Sequence, residues 1–513
     1  MNYRIVCKYL GVIALLIAVT MLFSLPWAYP NLGQRAGHES AQFENQGFYA
    51  LSESILICVA VGLLLVVSGG KRAGPLYHKE AMAVVGFTWI LATVLGALPF
   101  YLSSTGRGPA IRMSSDTTAY AYDVSWYRGG WRRSEGLTDL QQDALKKLLA
   151  AGNKGISAHA DQTQTIETLL GLIDSQPVFR SCIEFPDDAQ NEIRVVWIRM
   201  SFVDALFESQ SGFSTTGATV ISDLEDATLV PHCILFWRSS THFLGGLGII
   251  VLFVAILGQG SAGKALMRNE VPGPHQESSE ARMQHTAQVF AGIYIGLTLT
   301  LVIILKLCGL SMFDAFCHSF GTMATGGFST YNASLGHFDS TLIESVVIVF
   351  MLFAGMNFTL LYFLFRGMPS TMFRDVEWKT YMWIVLIATI LVVVSGLAMN
   401  DFGGQSGLAG IVRALRYGLF QVVSIITTTG YGTHDFDGWN NLGRCILFVL
   451  MFVGGCAGST GGGIKVIRWL MMTKMLGLEF ERAHHPRVVR TLRLGGKPID
   501  DPKLRLANQS SIA

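Results

Sequence analysis

The chain has 513 residues, of which 50% are hydrophobic and only 14% charged, with a formal net charge of +2 and a mean hydropathy of +0.41. That balance excludes an ordinary soluble enzyme and indicates an integral membrane protein, and so small a net charge carries no nucleic-acid footprint. The 8 cysteines include no CxxC pair and fall mostly in apolar stretches, so they read as small buried hydrophobes rather than a disulfide framework or metal site.

A helix needs about 20 mostly apolar residues to cross the hydrocarbon core. Such stretches are expected at 9–26, 54–68, 81–101, 235–257, 286–307, 342–365, 381–399 and 445–472. Arg4 and Lys8 precede the first as in a secretion signal, but it is long for one and no small-x-small site follows Pro26, so it is expected to be a retained helix. Between the third and fourth spans, residues 104–200 are polar, with Arg128, Arg132, Arg133, Lys146 and Lys147 against Asp139, Asp143, Glu184, Asp187 and Asp188. Thr138 is placed to cap a helix whose Leu140, Ala144, Leu145, Leu148 and Leu149 share a face before Gly152 ends it. A second helix over 163–174 and a strand over 193–198 complete a small α/β module. Its role, whether sensing, partner binding or none, stays open, as does a partner for Cys182.

The most informative pattern is a short glycine-centred stretch repeated three times between apolar spans. Thr215, Thr216, Gly217, Ala218 and Thr219 form the first copy, Thr325, Gly326, Gly327, Phe328 and Ser329 the second, and Thr428, Thr429, Gly430, Tyr431 and Gly432 the third. The third is similar to a potassium-channel filter sequence. Counted from the central glycine, Leu206-Phe207-Glu208, Phe316-Cys317-His318 and Leu419-Phe420-Gln421 occupy the same register, and Asp204-Ala205 matches Asp314-Ala315. A half-helix leading into a Thr/Gly loop suits a re-entrant pore loop, because carbonyls replace an ion's water only where the backbone is extended and close, and glycine permits both.

From Gly454 to Lys465 the last span is interrupted by small residues, and interior glycines cost a helix about 0.8–1.0 kcal/mol each relative to alanine. The helix should break there, and a broken backbone at membrane depth must be buried in protein or line a cavity. Lys465 is expected to face the pore, a carbonyl cluster or the cytoplasmic interface, with snorkelling near the helix end as the alternative. Arg468 reads as an interfacial anchor, and His232 and His242 as structural. Glu208 and His318 either tune the outer vestibule or satisfy backbone amides, and Asp223, Glu225 and Asp226 form either an acidic funnel or a solvated loop.

Lys71, Arg72 and Lys79 follow the second span, Lys264, Arg268 and Arg282 the fourth, and Arg366, Arg374 and Lys379 the sixth. The tail adds Lys474, Arg482, Arg487, Arg490, Arg493, Lys497, Lys503 and Arg505. Basic connections stay inside, so both termini are expected in the cytoplasm and all three glycine loops enter from outside.

The run from Phe202 through Glu208 to Val220, with Ala324-Thr325-Gly326-Gly327-Phe328-Ser329, Thr427-Thr428-Thr429-Gly430-Tyr431-Gly432 and Gly454-Gly455-Cys456-Ala457-Gly458-Ser459-Thr460-Gly461-Gly462-Gly463-Ile464-Lys465, resembles the Trk/Ktr/HKT superfamily of potassium uptake proteins. Trp237-Arg238 and Phe243-Leu244-Gly245-Gly246-Leu247-Gly248-Ile249-Ile250-Val251 match it as well. The resemblance implies an all-α polytopic membrane protein with helix–pore loop–helix repeats around a pseudo-fourfold axis, here with the α/β insertion added. It implies an N-terminal helix pair at 1–80, pore repeats at 81–258, 259–366 and 367–475, and a cytoplasmic tail at 476–513. Backbone carbonyls of Thr216, Gly217, Gly326, Gly327, Thr429 and Gly430 would hold potassium, and glycine at all three central positions favours potassium with sodium leakage allowed. By the same resemblance the Gly454–Lys465 loop gates the pore, the chain forms a homodimer in the bacterial inner membrane, and a cytosolic nucleotide-binding ring of RCK type regulates it. No organic cofactor is expected in this chain.

Two departures stand out. Relatives have a short connection where residues 104–200 stand, and after Lys474 no apolar stretch follows, so three filter loops are counted where the family has four. Truncation is the favoured explanation, and a non-conducting receptor or assembly protein acting through its insertion is the alternative function.

Overall fold

A spanning segment must satisfy its own backbone inside the bilayer, so the architecture follows from where apolar stretches run uninterrupted and where they break. The computed structural model describes residues 2–30, 32, 43–70, 78–115, 118–123, 156–157, 180–181, 192–225, 229–257, 280–403, 407–485, 493–494 and 497–498. Among these, 6 helical segments are long and apolar enough to cross a membrane: Tyr3–Ala28, Asn45–Gly69, Met82–Leu102, Gln288–Leu307, Val376–Met399 and Leu408–Ile426.

The N-terminal helices α1 (Tyr3–Leu22) and α2 (Asn45–Gly69) run against each other. Their closeness is set by glycine: a Cβ on Gly11 would lie 2.7 Å from the Gly62 carbonyl, and one on Gly69 would lie 2.7 Å from Lys8. Helix α3 (His78–Leu102) packs on both. It leads into strand β1 (Gly106–Ser115), followed by β2 (Thr118–Asp123), β3 (Ile156–Ser157), β4 (Arg180–Ser181) and β5 (Glu192–Arg199), an antiparallel sheet in the order β3-β5-β1-β2-β4. The strand expected over 193–198 is β5; the helices expected near 138–152 and 163–174, and Cys182, lie outside the described residues. Backbone bonds from Gly106 to Leu229 (2.8 Å), Met200 to Thr105 (2.9 Å) and Ser222 to Arg107 (2.9 Å) fasten the sheet's base to the helices.

Three helices then recur, each feeding a glycine loop: α4 (Phe202–Phe213) and α7 (Met312–Met323), both short, and the longer α12 (Leu408–Ile426). The first two start alike because serine precedes aspartate by three: Ser201 Oγ accepts from the Asp204 amide at 3.2 Å and Ser311 Oγ from the Asp314 amide at 3.0 Å. Between them run α5 (His232–Leu257) and α6 (Glu280–Leu307). After α7 come α8 (Thr341–Ala354), α9 (Phe358–Phe365), the short α10 (Pro369–Arg374) and α11 (Val376–Met399); after α12 come α13 (Asn441–Leu450) and α14 (Val466–His484). One buried cluster joins α1 to α5 with Phe313 and Cys317 of α7, and a second joins α6 through α14.

The expected single span over 342–365 is instead α8 and α9, bent by 109°. Gly355 ends α8 and the Asn357 side chain caps α9 by accepting from the Thr359 amide at 2.8 Å, so the break has its own local chemistry. The last span also breaks, as its glycines require, and α14 continues to His484, beyond the expected limit of 472.

Gly11→Leu should overpack the α1–α2 contact by about 1–3 kcal/mol and lower the melting temperature of the purified chain. Val12→Leu, on a side chain that is 51% exposed in the isolated chain, should leave it unchanged.

Candidate functional site

The three glycine loops share one backbone conformation. Thr215, Thr325 and Thr428 adopt φ of 53°, 53° and 58°, and the glycines two residues later, Gly217, Gly327 and Gly430, adopt 76°, 77° and 78°. Left-handed φ is costly for β-branched threonine, so its threefold recurrence marks a conformation that the surroundings impose.

The imposing contacts also repeat. Amides of Thr216, Gly326 and Thr429 donate to carbonyls of Ser211, Gly321 and Ser424, all at 2.9 Å, tying each loop back to the end of its own helix. With the amides engaged on the helix side, no hydrogen bond from the described residues reaches the carbonyls of Thr216, Gly217, Gly326, Gly327, Thr429 or Gly430. The carbonyl one step beyond each central glycine is held from behind. Ser211 Oγ donates to Ala218 O at 2.5 Å and Ser424 Oγ to Tyr431 O at 2.7 Å. The second copy has Gly321 where the others have serine, and the Tyr431 hydroxyl of the third loop fills that space, donating to His318 O at 3.0 Å and Phe328 O at 3.3 Å.

The loops stand side by side in chain order. A Cβ on Gly217 would lie 2.0 Å from Gly326 O and one on Gly327 would lie 1.9 Å from Thr429 O, so neither position admits a side chain. Beside Gly430 no described atom lies within 4 Å.

Farther out, Glu208 Oε1 accepts from Thr219 Oγ1 at 2.8 Å and Oε2 from the Val220 amide at 3.1 Å, so this carboxylate satisfies its own loop. It is fully buried and paired with Arg238 of α5 at 2.6 Å. His318 contacts Ser329 Oγ at 3.0 Å, and Gly432 accepts from the Gly336 amide at 3.0 Å. Asn332 donates to Asp223 Oδ1 and to Glu225 Oε1, each at 3.0 Å, and accepts from the Leu224 amide at 2.9 Å. Asp223 and Glu225 therefore join the first loop to the second, and Asp226 lies outside the described residues.

The glycine-rich break between α13 and α14 lies directly against these loops. The Gly462 amide donates to Thr428 Oγ1 at 2.7 Å, and Thr460 Oγ1 to Met323 O at 3.1 Å and Ala354 O at 3.2 Å. Cys456 donates to Gly355 O at 2.8 Å, Gly458 accepts from the Phe358 amide at 3.1 Å, and Gly454 donates to Ile464 O at 3.0 Å. A Cβ on Gly454 would lie 2.0 Å from Gly462 O, one on Gly455 2.7 Å from Gly355 O, and one on Gly461 3.1 Å from Thr427 O, while Gly463 takes a φ of 69°. Lys465 Nζ donates to the Gly461 carbonyl and, at 3.3 Å, to Ser459 Oγ. Glu377 of α11 clasps both ends of the break, Oε1 accepting from the Ala457 amide at 2.7 Å and the Ile467 amide at 3.1 Å.

Sequence reasoning missed Glu377 and the Tyr431 hydroxyl, and it gave Arg238 and His242 no role at the loops. A buried charge on an otherwise apolar span was the available signal for Arg238 and Glu377. No group of three or more His, Cys, Asp and Glu side chains able to hold a metal occurs among the described residues.

The profile of the TrkH family, described as cation transport protein, matches residues 174–506. A Trk system potassium uptake protein TrkH of Halomonas elongata is 41% identical over 305 residues, covering 59% of this chain and 61% of its own. The corresponding Escherichia coli K12 protein is 39% identical over 305 residues, again 59% and 61%. The chain thus spans 61% of the length of these curated relatives. The crystal structure of the potassium transporter TrkH from Vibrio parahaemolyticus superposes with a TM-score of 0.69 at 27% identity, covering 100% of this chain and 82% of that one.

Glu377→Leu should leave two loop amides without their acceptor, at about 1–3 kcal/mol each if they stay buried. Hydrogen exchange across 454–467 should accelerate in that variant, whereas Glu377→Gln, which keeps one acceptor oxygen, should exchange close to the parent chain.

Proposed function

Because the chain belongs to the TrkH cation transport protein family, we propose that it takes up potassium across the cytoplasmic membrane through its three Thr/Gly loops. The observation that carries this reading is the set of carbonyls at Thr216, Gly217, Gly326, Gly327, Thr429 and Gly430, left without hydrogen-bond donors by amides that point back to the helices. A potassium ion shedding water needs several weak oxygen ligands held apart at fixed positions, and backbone carbonyls supply them without a charge that would trap the ion. The names of the relatives, Trk system potassium uptake proteins, favour the same ion.

Inward movement is driven by the membrane potential, at about 2.3 kcal/mol per charge per 100 mV. We read the break from Gly454 to Lys465 as the gate: its contacts with Thr428 and Met323 beside the loops support that reading, and its glycines allow the backbone to rearrange. Lys465, held on the Gly461 carbonyl, ties that loop to itself. Both termini face the cytoplasm, with the repeats bounded at 81–258, 259–366 and 367–475 and the sheet of the 104–200 insertion outside. A homodimer and an RCK-type nucleotide-binding ring complete the assembly, and sodium passes as a minor ion.

The test is growth of a potassium-uptake-deficient bacterium on low potassium. Expression of the chain should rescue growth, and Gly327→Ser, driven into the Thr429 carbonyl, should abolish rescue. Gly430→Ser meets open space but must hold a φ of 78°, so it should weaken rescue by about tenfold, matching a strain of about 1–2 kcal/mol. Equal rescue by all three chains would contradict the proposal.

A further inference from the structure

The second loop differs from the other two at the position before its central glycine. Where Thr216 and Thr429 precede the central glycine, the second copy has Gly326. Its φ does not fall in the left-handed region, so the backbone there would accept any side chain. Space is what forbids one: a Cβ on Gly326 would lie 2.5 Å from His242 Nδ1 and 2.6 Å from His242 Cε1. His242 comes from α5, is fully buried, and finds no partner for either ring nitrogen among the described residues. What the ring presents to Gly326 is its shape, in direct contact with the space a Cβ would fill.

That shape is set against the loop's next side chain. The His242 ring stacks on Phe328 at 3.9 Å between centroids and 15° between planes. One turn earlier on α5, the Arg238 guanidinium carbon lies 3.4 Å from the same ring centroid. Arg238 also donates to Ser329 O at 3.1 Å and to Glu208 at 2.6 Å. The carboxylate of α4, the second loop's aromatic and the second loop's carbonyl therefore converge on one helical turn.

We propose that Arg238 and His242 are specificity-determining positioning residues, a buttress that fixes the Gly326 and Gly327 carbonyls, with Gly326 and His242 interlocked so that the ring fills the space a side chain takes in the other two loops. This rests on the reading of the loops as a potassium filter. Without the ring the second loop relaxes outward, its carbonyls no longer match a dehydrated potassium ion, and sodium is less strongly excluded.

The test uses the full chain in lipid nanodiscs, with melting temperature measured in potassium or sodium chloride. Gly326→Ala should melt several degrees lower than the parent, as an overpacked site does. Adding His242→Ala to it should raise the melting temperature again, because the ring that the new methyl strikes is gone. His242→Ala alone should need about tenfold more potassium for the same stabilisation over sodium, a factor that corresponds to about 1.4 kcal/mol. His242→Phe, which returns a flat ring, should recover the preference that His242→Ala loses. A double variant destabilised by the sum of its single variants would overturn the interlock, whatever the ion. A parent chain melting identically in the two salts would overturn the filter reading and the specificity role with it, while the stability comparison still decides the packing.

Discussion

The amide of the residue before each central glycine is tied to a carbonyl at the end of the preceding helix, and the rest of the loop architecture follows from that bond. Three bonds of equal length from Thr216, Gly326 and Thr429 fix which side of each loop carries donors. The opposite side then carries only acceptors. Left-handed φ at Thr215, Thr325 and Thr428 is the conformational cost of turning out of the helix sharply enough to make the bond. Gly217 and Gly327 remove the side chains that would strike the neighbouring carbonyl.

Backbone carbonyls choose among ions only if they cannot drift, and each loop here is restrained by elements outside its own repeat. Tyr431 of the third loop supplies the hydroxyl that the second loop lacks at Gly321. Arg238, on the helix that follows the first loop, grips the second. Asn332, beyond the second loop, is held by Asp223 and Glu225 beyond the first. Beneath them the Gly454–Lys465 break is bonded upward to Thr428 and Met323 and clasped from the side by Glu377. The ties through Tyr431, Thr428 and Thr460 are neutral hydrogen bonds, worth about 0.5–1.5 kcal/mol each, and those through Arg238, Asp223, Glu225 and Glu377 use an ionisable side chain and are worth about 1.5–3 kcal/mol each when it is charged.

The loops and the break were readable because each is written in local residues: three Thr/Gly stretches in one register, and a run of glycines no helix tolerates. The bend between α8 and α9 was less legible, since Gly355-Met356-Asn357 sits within an apolar run of spanning length and only the cap at Asn357 betrays it. Contacts between repeats were invisible. Nothing local relates Gly321 to Tyr431 or Gly326 to His242; each pair is complementary in volume across long separations in the chain, and one sequence does not record volume matching. Glu208 could be narrowed to two roles, and burial with Arg238 decides for the structural one.

The most direct measurement is ion density at the loops, from crystals grown in thallium or rubidium salt and recorded at an anomalous edge. A peak should stand among the carbonyls of Thr216, Gly217, Gly326, Gly327, Thr429 and Gly430, and it should weaken when sodium replaces the heavier ion. Ordered loops with no peak there, or a peak confined to carboxylates such as Asp223 and Glu225, would contradict a carbonyl filter.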